Sequence, residues 1–119
     1  DWVRQSLAWF RLHHPVPAGY VEDRVADGAR IPAHVWRQEL AGLVTAVPPT
    51  EAGTIDVPTL MLWGERDDLL TRADQEALAA AIPGARLQTY AETGHLVLWE
   101  QPARVAADVT AFVATLPPA

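Results

Sequence analysis

Two side chains in this sequence are of types that move protons and stand where a fold could bring them together. Asp67 follows the apolar run TLMLW (Thr59 to Trp63) in TLMLWGERDDLL, and His95 follows RLQTY in RLQTYAETGHL. An imidazole changes charge near neutral pH, so a histidine in a loop beside a strand end is placed for catalysis. A carboxylate that accepts a hydrogen bond from one imidazole nitrogen fixes the tautomer and stabilises the imidazolium. The other nitrogen is then free to act as a general base. Asp67 and His95 are 28 residues apart, the span of one strand–helix–strand unit. Adjacent parallel strands would set them side by side at their carboxyl ends, where open α/β sheets bind ligands.

The elements that must position this pair are written in the second half of the chain. TLMLW is bounded by Pro58 and Gly64 and is apolar throughout, which predicts a strand buried on both faces. TRADQEALAAAI opens on Thr71 with Asp74 three residues on, close to a capping box, and Pro83-Gly84 stops that helix. RLQTY predicts a short second strand. QPARVAADVTAFVATL carries Pro102 just inside a helix start and sets Val105, Val109, Phe112 and Val113 on one face.

The first half reads as helical. In DWVRQSLAWFRLHHP, Val3, Leu7 and Phe10 recur at helical spacing, flanked by Trp2 and Trp9, which predicts an amphipathic helix ending near Pro15. AGYVEDRVADGARIP predicts a short helix stopped by Gly28. PAHVWRQELAGLVTAV starts with Pro32 in its first turn and puts Trp36, Leu40, Leu43 and Val44 on one face. VPPTEAGTIDVP, with three prolines and a glycine, reads as a linker. Two parallel strands make a poor sheet alone, so the sheet is expected to continue upstream of Asp1, and the chain reads as a piece of something longer.

VPTLMLWGERDDLL followed by IPGARLQTYAETGHLVLWEQPARVAADVTAFV resembles the C-terminal portion of the α/β-hydrolase fold superfamily. That family carries a G-x-x-D turn after one late strand and a Gly-His turn after the next, matched here by Gly64-Glu65-Arg66-Asp67 and Gly94-His95. Its next helix often begins near a Glu-x-Pro, matched by Glu100-Gln101-Pro102. The resemblance implies a partial α/β-hydrolase fold. Residues 1–50 would be a helical cap or lid, and residues 51–119 the C-terminal part of the core, a β-α-β-α unit of a parallel sheet. It makes Asp67 the acid and His95 the base of a triad whose nucleophile (serine, aspartate or cysteine) precedes both.

The G-x-x-D spacing selects Asp67 over its neighbour Asp68, which is assigned to solvent or to capping the next element. The chain's one serine, Ser6, lies in RQSLA, inside a helical pattern with no flanking glycine. A nucleophile elbow needs a strained strand-to-helix turn, so Ser6 is not that nucleophile. The 119 residues alone are therefore expected to be inactive. Leu70 and Leu96, close behind Asp67 and His95, are assigned to substrate contact by position. Trp2, Trp9 and Trp36 read as core ahead of pocket lining, His13 and His14 as a solvated helix end, and His34 as surface.

Composition narrows the partners. The net charge is −6, every basic residue is arginine, and no basic stripe would track a phosphate backbone, which disfavours nucleic acid. Without cysteine the chain holds no disulfide, thiolate ligand or thiol nucleophile. No apolar run approaches the roughly 20 residues of a membrane span, and no targeting signal is visible, so a cytoplasmic location is expected. No metal or organic cofactor is implied. The expected partners are a small ester-like substrate and either a second copy or a missing N-terminal half, since a truncated sheet leaves an open edge.

Overall fold

The structure, a computed structural model, describes residues 2–52 and 55–117. In chain order its elements are α1 (Trp2–Leu7), α2 (Tyr20–Arg30), α3 (Ala33–Thr45), α4 (Pro49–Ala52), β1 (Leu60–Gly64), α5 (Arg72–Ala81), β2 (Arg86–Tyr90), α6 (Val97–Glu100) and α7 (Pro102–Val113). The strands pair in parallel, with Leu60 opposite Arg86 and Gly64 opposite Tyr90. Parallel neighbours need a crossover, and α5 supplies it.

Local chemistry sets the boundaries of this unit. Thr71 caps α5: its hydroxyl accepts from the Asp74 amide, and the Asp74 carboxylate accepts from the Thr71 amide at 2.9 Å. Hydrogen bonds from the Thr71 hydroxyl and then its amide hold the Asp74 carboxyl below the usual carboxylate range. Pro102 stands at the first position of α7, where its missing N–H costs nothing.

The core gathers between sheet and helices. Tyr90, Val97 and Val105 form a buried cluster that Leu62 packs against, and Met61, Trp63 and Ile82 are buried as well. The expectation that β1 is buried on both faces holds only in part. Met61 and Trp63 are covered, whereas Leu60 and Leu62 stay half-buried. A two-stranded sheet lacks the neighbours that would finish the job.

The helical half departs further from its pattern. α1 stops at Leu7 in place of running toward Pro15, because the backbone N–H groups of His13 and His14 are taken by a carboxylate from far along the chain, that of Glu100. α2 runs straight through Gly28 to Arg30. That glycine serves close packing instead of ending the helix: a Cβ there would lie 2.7 Å from Val3 Cγ1, and its carbonyl accepts from Trp36 Nε1 at 3.3 Å. The stretch read as linker contains the single helical turn α4.

α3 buries no residue, and Leu40, Leu43 and Val44 on its apolar stripe are exposed. Trp2 and Trp9 are exposed too, so the assignment of these indoles to the core is corrected. Trp36 meets Trp2 edge-on, with centroids 5.2 Å apart. Among the described residues, no helix is long and apolar enough to cross a membrane.

Candidate active site

The parallel register brings the ends of β1 and β2 level, and the loops that leave them are stitched together at once. Past Gly64, the Glu65 amide donates to the Tyr90 carbonyl at 3.0 Å and the Arg66 amide donates to the Thr93 carbonyl at 2.8 Å. Gly64 allows this because a Cβ there would overlap the carbonyl oxygens of Gly94 and Thr93, which are backbone and cannot move aside. The Asp67 amide closes the turn on the Gly64 carbonyl at 3.0 Å.

Asp67 and His95 meet as their spacing predicts, with Nδ1 of His95 2.8 Å from Oδ2 of Asp67. The other carboxylate oxygen, Oδ1, accepts from the Leu69 amide at 2.9 Å and the Leu70 amide at 3.1 Å. The carboxylate thus closes its own turn with one oxygen and holds the imidazole with the other. Its side chain is 3% exposed and that of His95 26%. A buried, fully bonded carboxylate orients an imidazole that remains reachable. With a proton on Nδ1 donated to Asp67, the lone pair falls on Nε2, the arrangement a general base requires. Asp68, next in sequence, is exposed.

Behind His95, Thr93 is fully buried, its hydroxyl donating to the Ala91 carbonyl at 3.0 Å and accepting from the side-chain Nε2 of Gln101. The Phe10 ring stacks on the imidazole, with centroids 5.0 Å apart and an angle of 19°. A cleft of about 100 Å³ opens here, lined by the dyad, by Trp9, Phe10 and Arg11, and by Arg66, Asp68 and Leu69. The Arg66 charge is answered by Glu92 at 2.7 Å. Trp9 and Phe10 also line a much larger open groove of about 1200 Å³, shared with Trp2, Leu7, Trp36, Leu40, Leu43 and Trp99.

Leu70 and Leu96 are not among the residues lining the cleft. Leu70 acts through its backbone, giving its amide to Asp67 and its carbonyl to Trp63 Nε1 at 2.8 Å. The Leu96 carbonyl accepts the amides of Trp99 and Glu100, which starts α6. Ser6 lies inside α1, its hydroxyl donating to the Val3 carbonyl at 2.8 Å, away from any strand–helix turn. His13 and His14 are partly buried, and their amides are held by Glu100, which corrects their reading as a solvated helix end.

Two contributors to the site escaped the sequence reading. Phe10 registered as one more apolar helix position. Glu100 registered only as part of a helix start, since no local pattern marks its carboxylate as buried, and it is the burial that obliges it to find partners.

A sequence model of the alpha/beta hydrolase family matches residues 1–108. The chain is 34% identical over 115 residues to the monoacylglycerol lipase abhd6-A of Xenopus laevis, an alignment covering 93% of this chain and 33% of the relative. It is 39% identical over 66 residues to a pimeloyl-[acyl-carrier protein] methyl ester esterase of Stenotrophomonas maltophilia, covering 56% of this chain and 26% of that one. An esterase of Exiguobacterium antarcticum superposes with a TM-score of 0.83 at 18% identity, over 95% of this chain and 42% of the esterase. The likeness to that structure speaks for the fold. The chain spans about a third of the length of the first of these relatives.

Proposed function

The chain belongs to the alpha/beta hydrolase family, and on that premise we propose that it carries the acid and base of a nucleophile–Asp–His triad. The observation that supports this reading is the 2.8 Å contact between His95 Nδ1 and Asp67 Oδ2, made by a buried carboxylate at the carboxyl end of a parallel strand pair. In the proposed reaction the nucleophile lies upstream, in an elbow between strand and helix. His95 Nε2 accepts a proton as that nucleophile, or a water, attacks an ester carbonyl, and then returns it to the departing alkoxide. Asp67 keeps Nδ1 protonated and balances the imidazolium. Oxyanion donors would come from the same upstream part.

The substrate in this reading is a small ester whose apolar portion lies in the groove that begins at Trp9 and Phe10. Residues 1–50 act as cap and 51–119 as the end of the core. Most of the groove's lining is apolar, which fits an acyl group, with Arg24, Arg37 and Glu39 the charged residues along it. The names of the lipase and esterase relatives agree with ester chemistry.

The test is a chimera in which this chain replaces the matching segment of the Xenopus laevis lipase, assayed with p-nitrophenyl acetate. His95→Ala is expected to lower kcat by about 10³-fold or more, and Asp67→Asn by up to about 10⁴-fold. A folded, active chimera indifferent to both substitutions sinks the reading. The 119 residues alone should show no turnover that Ser6→Ala abolishes; such turnover would move the nucleophile into this chain.

A second reading treats the chain as an association module, favoured by the exposed stripe Leu40, Leu43 and Val44 beside the open groove. Sedimentation of the isolated chain should show a dimer or larger species. A clean monomer with a cooperative melt would count against it.

A further inference from the structure

Glu100 is an acid that the proton chemistry above does not use, and it is buried, with 6% of its surface exposed. Its Oε1 accepts from the Gly94 amide at 2.9 Å, and its Oε2 accepts from the amides of His13 at 2.7 Å and His14 at 2.9 Å. A buried carboxylate is costly unless it is fully bonded, and charge-assisted bonds of this length are among the stronger ones available to it. These three backbone donors come from two segments that are distant in sequence.

One of those segments is the loop whose next residue is His95. The other begins two residues beyond Arg11 and three beyond Phe10, whose ring lies on the His95 imidazole. The junction has no slack: a Cβ on Gly94 would stand 2.6 Å from the Arg11 carbonyl oxygen and 2.9 Å from Glu100 Oε1. The strap is held there by these backbone bonds and by the His14 ring, whose Nε2 lies 3.4 Å from both Thr93 Oγ1 and Gln101 Nε2. Among the described residues, Nε2 of His13 is buried without a hydrogen-bond partner. Glu100 is itself secured at the end of α6, where its amide donates to the Leu96 carbonyl at 3.0 Å.

We propose that Glu100 is a positioning residue for His95. By gathering the amides of Gly94, His13 and His14 it fixes together the loop that carries the base and the strap that lays Phe10 over it. The imidazole is thereby held in the orientation that donates Nδ1–H to Asp67. The proposal rests on reading His95 as the base, but its test follows the imidazole's hydrogen bond and not turnover, so the two can fail separately.

The experiment is imidazole NMR on the isotope-labelled chain in alkaline buffer, where histidine is neutral and its tautomer can be assigned. In the unmodified chain His95 is expected to carry its proton on Nδ1, and Asp67→Asn to release it toward the Nε2–H form that free imidazole prefers. Glu100→Gln keeps the shape but leaves one acceptor oxygen for two sets of donors. That variant should move the His95 tautomer toward the Asp67→Asn state. It should also make the Gly94 amide, or those of His13 and His14, exchange about tenfold faster.

A lower melting temperature with an unchanged tautomer would mean a mere brace and overturn the proposal. Unprotected Gly94, His13 and His14 amides in the unmodified chain would overturn it as well. If Glu100→Gln does not fold, Gly94→Ala crowds the same junction with the carboxylate intact. The same tautomer shift then supports the proposal, and its absence overturns it. A tautomer indifferent to Asp67→Asn would sink the dyad, and the positioning role with it.

Discussion

The sheet edge that holds Asp67 and His95 and the apolar face of α1 to α3 meet at Phe10, yet they differ in how completely the chain finishes them. At the sheet edge polar groups find partners both near and far along the chain: Asp67 with the Leu69 and Leu70 amides and His95, Glu100 with the amides of Gly94, His13 and His14, Tyr90 with Asp108. On the helices, large apolar side chains stand in the open, with Leu43 at 75% and Val44 at 76% exposure. Hydrogen bonds are short and directional, so a few well-placed loops suffice to satisfy them. Apolar burial scales with area, and three short helices cannot cover one another. The polar contacts of a site can therefore be satisfied where the hydrophobic surface beside it is left open.

That contrast can be broken most severely from the core side. Trp63 is 5% exposed, stacks under the Arg72 guanidinium and donates to the Leu70 carbonyl. Trp63→Ala is expected to cost about 3–5 kcal/mol in urea unfolding. It should also loosen the turn that shapes Asp67, since Leu70 lends that turn its amide. A loss below about 1 kcal/mol would show that the sheet edge does not depend on this packing.

A smaller effect separates the two regions by pH. Burial, and then the hydrogen bond to Asp108, push the Tyr90 phenol up from 10.0 to about 12. The folded state keeps the proton more tightly than the unfolded one. Its contribution is therefore complete below pH 10 and is lost as pH rises through about 12, on the order of 2 kcal/mol in all. Urea midpoints measured across that window should fall steadily, and Tyr90→Phe should flatten the decline.

The smallest effect is expected on the open face. Leu43→Ala should change stability by no more than about 0.5 kcal/mol in a monomer. Leu43→Glu should shift sedimentation toward smaller species if this face mediates association. A large loss of monomer stability from Leu43→Ala would show that the stripe is covered after all, and the contrast between the regions would dissolve.

What was legible in the sequence follows the range of the physics involved. The capping box at Thr71 and Asp74, the proline at the start of α7 and both strands depend on neighbours a few residues away, and each stands where the pattern put it, β1 to within one residue. The pairing of Asp67 with His95 was legible because a parallel crossover carries a fixed meaning for strand ends. The helical half was less so. The periodicity of α1 continues past Leu7, but the amides of residues 13 and 14 have a stronger partner in Glu100, and local propensity loses to it. Gly28 looked like a stop, yet the side chains of Val3 and Trp36 need its bare surface.

By itself, then, the sequence determined the strand–helix–strand unit, the family, and which carboxylate faces which imidazole. The unit and the facing pair follow from backbone propensity, capping and spacing within a single segment. The family follows from the resemblance carried by the G-x-x-D and Gly-His motifs and from the match over residues 1–108. Tertiary structure alone decided that Phe10 covers His95 and that Glu100 joins the two segments around it. It also decided that the indoles of α1 and α3 line a groove in place of a core. Contacts between residues nearly ninety positions apart leave no local period, so only the folded chain reveals them.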